Sequence, residues 1–151
     1  MLAKAILICL CINLYFANDF RVININEFQS EGSYLPLKSG QKFIIELEGN
    51  PTTGYAWFLE NTEKLNKELL TPLNLNEKNS ADFYKKSPSP GEGEAKVLGA
   101  GGIYHFKFEA HSVNSGDEVL NFVYKRPWTS ESEVRKSINI KVVNPHNMSD
   151  L

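Results

Sequence analysis

Alternation of apolar and polar residues, in runs too short for anything but strands, most limits how this chain folds. Across residues 103–113, Tyr104, Phe106, Phe108 and Ala110 fall on one face and His105, Lys107, Glu109 and His111 on the other. A two-residue period of this kind belongs to a strand with one side buried. Residues 42–48 repeat it, with Phe43, Ile45 and Leu47 facing one way. So do residues 55–59 (Tyr55, Trp57, Leu59), 119–125 (Leu120, Phe122, Tyr124) and 134–143 (Ile138, Ile140, Val142). Residues 20–25 and 34–37 are further short β-type pieces, as are 81–84. Residues 69–75 contain Pro72, which predicts an edge strand or an irregular one. Turn residues punctuate these runs at Lys38-Ser39-Gly40 and at Asn114-Ser115-Gly116-Asp117. The second turn predicts a hairpin between its flanking strands. Residues 60–67 have room for only a short helical turn. Seven to eight short strands and no long helix predict a single all-β domain, an antiparallel β-sandwich.

The first seventeen residues stand apart. Lys4 precedes a nearly unbroken apolar run over residues 5–16, and Ala17 is small enough to precede a cleavage point. That is the layout of a secretory signal peptide, with residues 18–151 as the mature domain. The run is shorter than the roughly 20 residues a bilayer span needs, so no stable membrane insertion is expected after its removal. Both cysteines, Cys9 and Cys11, lie inside it. The mature chain would then have no disulfide, cysteine nucleophile or Cys-type zinc site. Its stability must come from its core, and 42% apolar residues can fill one. The formal charge of −2 argues against a strongly basic nucleic-acid surface.

Catalytic groups are poorly placed. Glu92 and Glu94 lie two apart in a polar loop, which does not fix an acid–base geometry. His105 and His111 share a strand face about 20 Å apart by strand rise, too far to share a metal. Neither an enzyme nor a metal or cofactor site is expected.

Three loops carry the unusual chemistry. Asn50-Pro51-Thr52-Thr53-Gly54-Tyr55 joins two strands; Pro51 fixes one torsion and Gly54 frees another. It is uncharged and would present two hydroxyls and two methyls. Residues 85–102 form a long polar loop that ends in Gly99-Ala100-Gly101-Gly102. No Gly-Lys-Ser/Thr follows these glycines and a strand comes next, so this is no phosphate loop. Arg126-Pro127-Trp128 breaks a third strand, with Trp128 past the end of its alternation. Exposed Trp and Arg are frequent binding anchors. A sandwich collects alternate loops at one end, and the spacing of these three permits a shared end.

Taken in order, Asn50-Pro-Thr-Thr-Gly-Tyr-Ala-Trp57, Gly99-Ala-Gly-Gly102 and Arg126-Pro-Trp128 resemble the three signature loops of the chagasin family, inhibitors of papain-like cysteine proteases. The resemblance spans most of the mature chain. It implies an immunoglobulin-like sandwich with three binding loops at one end, acting as a monomer. The threonine loop would enter the active-site cleft and cover the catalytic cysteine and histidine. The glycine loop would pair its backbone with an extended segment, and Trp128 would lie on an apolar surface. Inhibition would be reversible and non-covalent. The target would be a protease of the same organism or of a host, met in the secretory pathway, outside the cell or in a lysosome-like lumen. Residues 60–102 are longer than the family's usual pattern. An adhesion or binding module of the same fold, without protease inhibition, is the other reading.

Overall fold

The structure, a computed structural model, describes residues 19–85, 101–111, 115–129 and 133–144. The expected leader, residues 86–100 with Glu92, Glu94, Gly99 and Ala100, and the turn at residues 112–114 lie outside the described residues.

Nine strands are described: β1 (Arg21–Asn24), β2 (Tyr34–Lys38), β3 (Lys42–Gly49), β4 (Ala56–Leu59), β5 (Leu70–Pro72), β6 (Asp82–Lys85), β7 (Gly102–Ala110), β8 (Gly116–Lys125) and β9 (Val134–Val143). Among the described residues the helical pieces are two 3-10 turns, Ile25–Phe28 and Pro51–Thr53. One sheet has the order β1-β3-β7-β5, with β6 also on β7; the other has the order β2-β9-β8-β4.

The alternating apolar faces meet between the sheets. Phe43, Phe106, Phe108 and Phe122 are fully buried at the centre. Phe43 stacks on its cross-strand partner Phe108 at 5.3 Å, and Phe106 meets Phe122 of the opposite sheet edge-on at 4.9 Å. Each such side chain stabilises the fold by about 1.5–3 kcal/mol through burial. Ile138, Ile140 and Val142 face inward from β9, as their alternation requires.

The sandwich stands as expected, with three differences in its wiring. First, β7 and β8 do not form a hairpin. β7 is bordered by β3 on one side and by β5 and β6 on the other, while β8 lies between β9 and β4. Alternation specifies the buried face of a strand and says nothing of its neighbour. Here the two apolar faces cover each other across the core instead of lying side by side.

Second, two of the pairings are parallel, β1 with β3 and β2 with β9. The connection from β1 crosses to the other sheet and reverses direction, and the one from β2 crosses back and reverses again. β3 therefore runs alongside β1 in the same sense.

Third, the Pro72 edge is one strand broken in two. β5 pairs with residues 108–110 of β7 and β6 with residues 102–105, so they lie end to end. Asn74 bridges the break. Its side-chain amide donates to the His105 carbonyl at 2.8 Å and its oxygen accepts from the Lys107 N–H at 2.9 Å. One carboxamide thus replaces a missing peptide group on the β7 edge. The continuation over Asn79 and Ser80 covers the edge of β4: Leu59 N–H donates to the Asn79 carbonyl at 2.8 Å and Ser80 Oγ to the Trp57 carbonyl at 2.7 Å.

At one end of the core, Tyr104 is 3% exposed. Burial pushes its phenol up to about 12, and the charge of an ionised Tyr124 would add to the effect. Below the ordinary tyrosine value near 10, folded and unfolded chains both keep this proton. Between 10 and 12 the unfolded chain ionises and the native one does not, so stability falls as pH rises, by about 2–3 kcal/mol in all. Urea unfolding across this window is expected to show the decline, with a shallower slope in Tyr104→Phe. Equal slopes in the two proteins would contradict this assignment.

Candidate functional site

The threonine loop is built by its own first residue. Asn50 is extended, and its side-chain oxygen accepts from the Thr52 N–H at 3.1 Å and the Thr52 hydroxyl at 2.6 Å. Thr53 Oγ1 donates to the Asn50 carbonyl at 2.7 Å. Pro51 opens the 3-10 turn, where its missing N–H costs nothing. Gly54 closes it at φ +81°, with its N–H on the Pro51 carbonyl at 3.0 Å. Both threonine hydroxyls therefore spend their protons inside the loop. They brace the turn, because Asn50 offers two acceptors within reach. Pro51, Thr52 and Thr53 remain exposed.

Strand register gathers the other loops around this one. Gly49 pairs with Gly102, and Ala56 with Lys125. The start of the threonine loop thus adjoins the end of the glycine loop, and its far end adjoins the start of Arg126-Pro127-Trp128. A β-carbon placed on Gly101 would lie 3.3 Å from the Gly49 carbonyl oxygen. On the other side Arg126 Nε donates to the Thr53 carbonyl at 3.1 Å, and its guanidinium lies 4.6 Å from the centre of the Tyr55 ring. The hydrogen bond is charge-assisted and the ring contact is a cation–π pair. Arg126 pins the neighbouring loop. Trp128 covers Gly54 closely enough that a β-carbon there would be 2.9 Å from its indole, yet Trp128 is 70% exposed.

Below the tip lies an aromatic floor. Tyr124 stacks on Tyr55 at 5.3 Å and meets Trp57 at 5.0 Å. Trp57 is buried, and its Nε1 donates to the Glu48 carbonyl at 2.8 Å. Gly49 passes through a gap in this floor. A β-carbon on it would lie 2.9 Å from the Tyr104 ring, 3.1 Å from that of Tyr124 and 3.3 Å from that of Trp57.

Of the residues singled out from sequence, Asn50, Pro51, Thr52, Thr53, Gly54, Tyr55, Gly101, Gly102, Arg126, Pro127 and Trp128 lie at one end of the sandwich. Sequence reasoning passed over two contributors, Gly49 and Tyr124. Tyr124 had a signal: it is in phase with the buried Leu120 and Phe122, and a tyrosine so placed needs a partner for its hydroxyl. Away from the tip, His105 pairs with Glu46 at 3.0 Å and packs against Tyr84 at 4.5 Å, a ladder on the outer face of the five-stranded sheet.

A model of the chagasin family of peptidase inhibitors (I42) matches residues 36–142. Chagasin of Trypanosoma cruzi is 34% identical over 103 residues, covering 67% of this chain and 79% of that protein. The solution structure of amebosin superposes with a TM-score of 0.52 at 23% identity, over 84% of this chain and 99% of that one. The crystal structure of the cysteine protease inhibitor EhICP2 from Entamoeba histolytica does so with a TM-score of 0.50 at 18% identity, over 83% and 94%. The two structural likenesses bear on the fold, the sequence matches on the family.

Proposed function

This chain belongs to the chagasin family of peptidase inhibitors, and from that premise we propose that it blocks papain-like cysteine endopeptidases by lodging its three-loop tip in their active-site cleft. The observation that carries this reading is the Arg126 bond to the Thr53 carbonyl with Trp128 laid over Gly54, which makes two of the loops one surface. Gly101 beside Gly49 brings the third to the same rim.

The wedge is Pro51, Thr52 and Thr53. It is exposed, uncharged and held by five hydrogen bonds within the loop from Asn50 to Gly54, so little conformational freedom is lost on docking. Its two threonines fill the space above the catalytic cysteine and histidine. Trp128 lies against the enzyme on one flank, and the Gly99–Gly102 segment approaches by its backbone on the other. No bond is made or broken, and the inhibitor leaves intact. Residues 1–17 direct the chain into the secretory pathway, where it meets enzymes of its own organism or of a host.

Titration of residues 18–151 against a panel of papain-like proteases is expected to abolish activity at one equivalent, with the inhibitor recovered uncut. Full activity of every enzyme in the panel would leave an immunoglobulin-like binding module as the reading. Amino-terminal sequencing of the protein from a eukaryotic host is expected to start at Asn18.

A further inference from the structure

The wedge does not stand on its own hydrogen bonds alone. Asn50, which supplies both acceptors for the threonine hydroxyls, is itself gripped by a single phenol. The Asn50 N–H donates to the Tyr124 hydroxyl oxygen at 2.8 Å, and that hydroxyl donates to the Asn50 carbonyl at 3.3 Å. One oxygen thus fixes the peptide groups on both sides of the Asn50 α-carbon, and with them the torsions that aim its side chain. The phenol itself has little freedom. Its ring is stacked against Tyr55 and tilted against Trp57, and lies beside Gly49. Tyr124 belongs to β8, paired with Trp57 of β4 and Val134 of β9, so it is anchored in the sheet while its hydroxyl reaches a loop 74 positions away.

We propose that Tyr124 is a positioning residue for inhibition: its hydroxyl holds the threonine loop in the shape that docks, without touching the enzyme. This rests on the inhibitor reading given above. The strand supplies two struts to the loop. Tyr124 holds its entry at Asn50, and Arg126, two residues on, holds its exit at Thr53. Tyr124 near the end of β8 and Arg126 just beyond it thus both reach the threonine loop.

Removing the hydroxyl takes one acceptor and one donor from the Asn50 peptide groups and leaves every ring contact in place. The loop then samples other shapes, and the docking-competent fraction falls. A protein whose competent state is only partly populated binds more weakly by that fraction. When the loop interconverts faster than the partners meet, the loss falls on the association rate, whereas loss of a direct contact falls mainly on dissociation.

The test compares wild type with Tyr124→Phe against papain by stopped-flow kinetics, alongside amide hydrogen exchange of the free proteins. Expected for the variant is an association rate lower by about tenfold with an unchanged dissociation rate. The amides of Thr52, Thr53 and Gly54 are expected to exchange faster, while those of β3, β7 and β8 keep their protection. Unchanged association and exchange would overturn the proposal. So would a loss confined to dissociation, which would put Tyr124 in contact with the enzyme. Equal loss of protection in core and tip would also overturn it, because Tyr124 would then be a core residue only. If wild type fails to inhibit papain-like enzymes, the inhibitor reading falls, while the exchange comparison still reports on the latch.

Discussion

Replacing Gly102 with alanine is expected to destabilise the fold by about 3 kcal/mol, at the upper end of what overpacking costs. The added β-carbon would lie 2.1 Å from the Tyr84 carbonyl oxygen and 2.5 and 2.8 Å from carbons of the Phe83 ring. A flexible side-chain tip can swing aside, but a strand carbonyl cannot. Tyr84 and Phe83 pair with Ile103 and Tyr104, so β6 would have to leave β7 to make room. Gly101 is the matched control. Among the described residues a β-carbon there meets the Gly49 carbonyl oxygen alone, at 3.3 Å, so Gly101→Ala is expected to cost under about 1 kcal/mol. Urea unfolding of the two variants reads the difference directly, and equal midpoints would contradict the packing. β6 and β7 hold the two ends of the segment that carries Gly99 and Ala100. Gly102→Ala is therefore also expected to weaken inhibition, by moving where that segment leaves the sheet.

This contrast shows which part of the Gly-Gly pair was legible in the sequence. Read alone, the pair invites the idea that bare backbone is needed for a partner to approach. At Gly102 the need is internal, set by the Phe83 ring and the Tyr84 carbonyl, neither of which is near it in sequence. The buried faces of β3, β7 and β9 were legible because alternation is a local property that survives tertiary context. Strand partners were not. Nothing within residues 21–24 says they will run parallel to residues 43–46, since direction depends on how often the chain crosses between sheets. The break at residues 73–81 was foreshadowed by Pro72, but not its repair by the Asn74 side chain. At the tip, residue types announced a stiff loop. They left open whether Arg126 would face a partner or brace its own molecule, and the Thr53 carbonyl and the Tyr55 ring decide for bracing. The threonine hydroxyls looked like the loop's polar offering and are instead its internal fastening.

Trp128→Ala is expected to raise the inhibition constant about thirtyfold or more, the effect of losing roughly 2 kcal/mol at a binding hot spot, while changing stability little. The two effects separate because of where the side chain sits. At 70% exposure Trp128 contributes little to the core, so truncation leaves no cavity. The stability change is expected to stay within about 0.5–1 kcal/mol. Gly54 offers a way to tell whether Trp128 acts by its own contact or only by shielding the wedge. Alanine at position 54 faces two separate penalties. Its φ of +81° costs a residue with a β-carbon about 1–2 kcal/mol, and that carbon would press on the indole from 2.9 Å. Gly54→Ala should therefore weaken inhibition partly by straining the turn and partly by displacing the tryptophan. Once the indole is gone, only the strain remains. Gly54→Ala is accordingly expected to cost less affinity in a Trp128→Ala background than in wild type. Residues in contact are known to give such coupling, of about 0.5–3 kcal/mol. Strict additivity across the four proteins would mean that the tryptophan is not held on the wedge, and the two loops would then have to be treated as independent contacts.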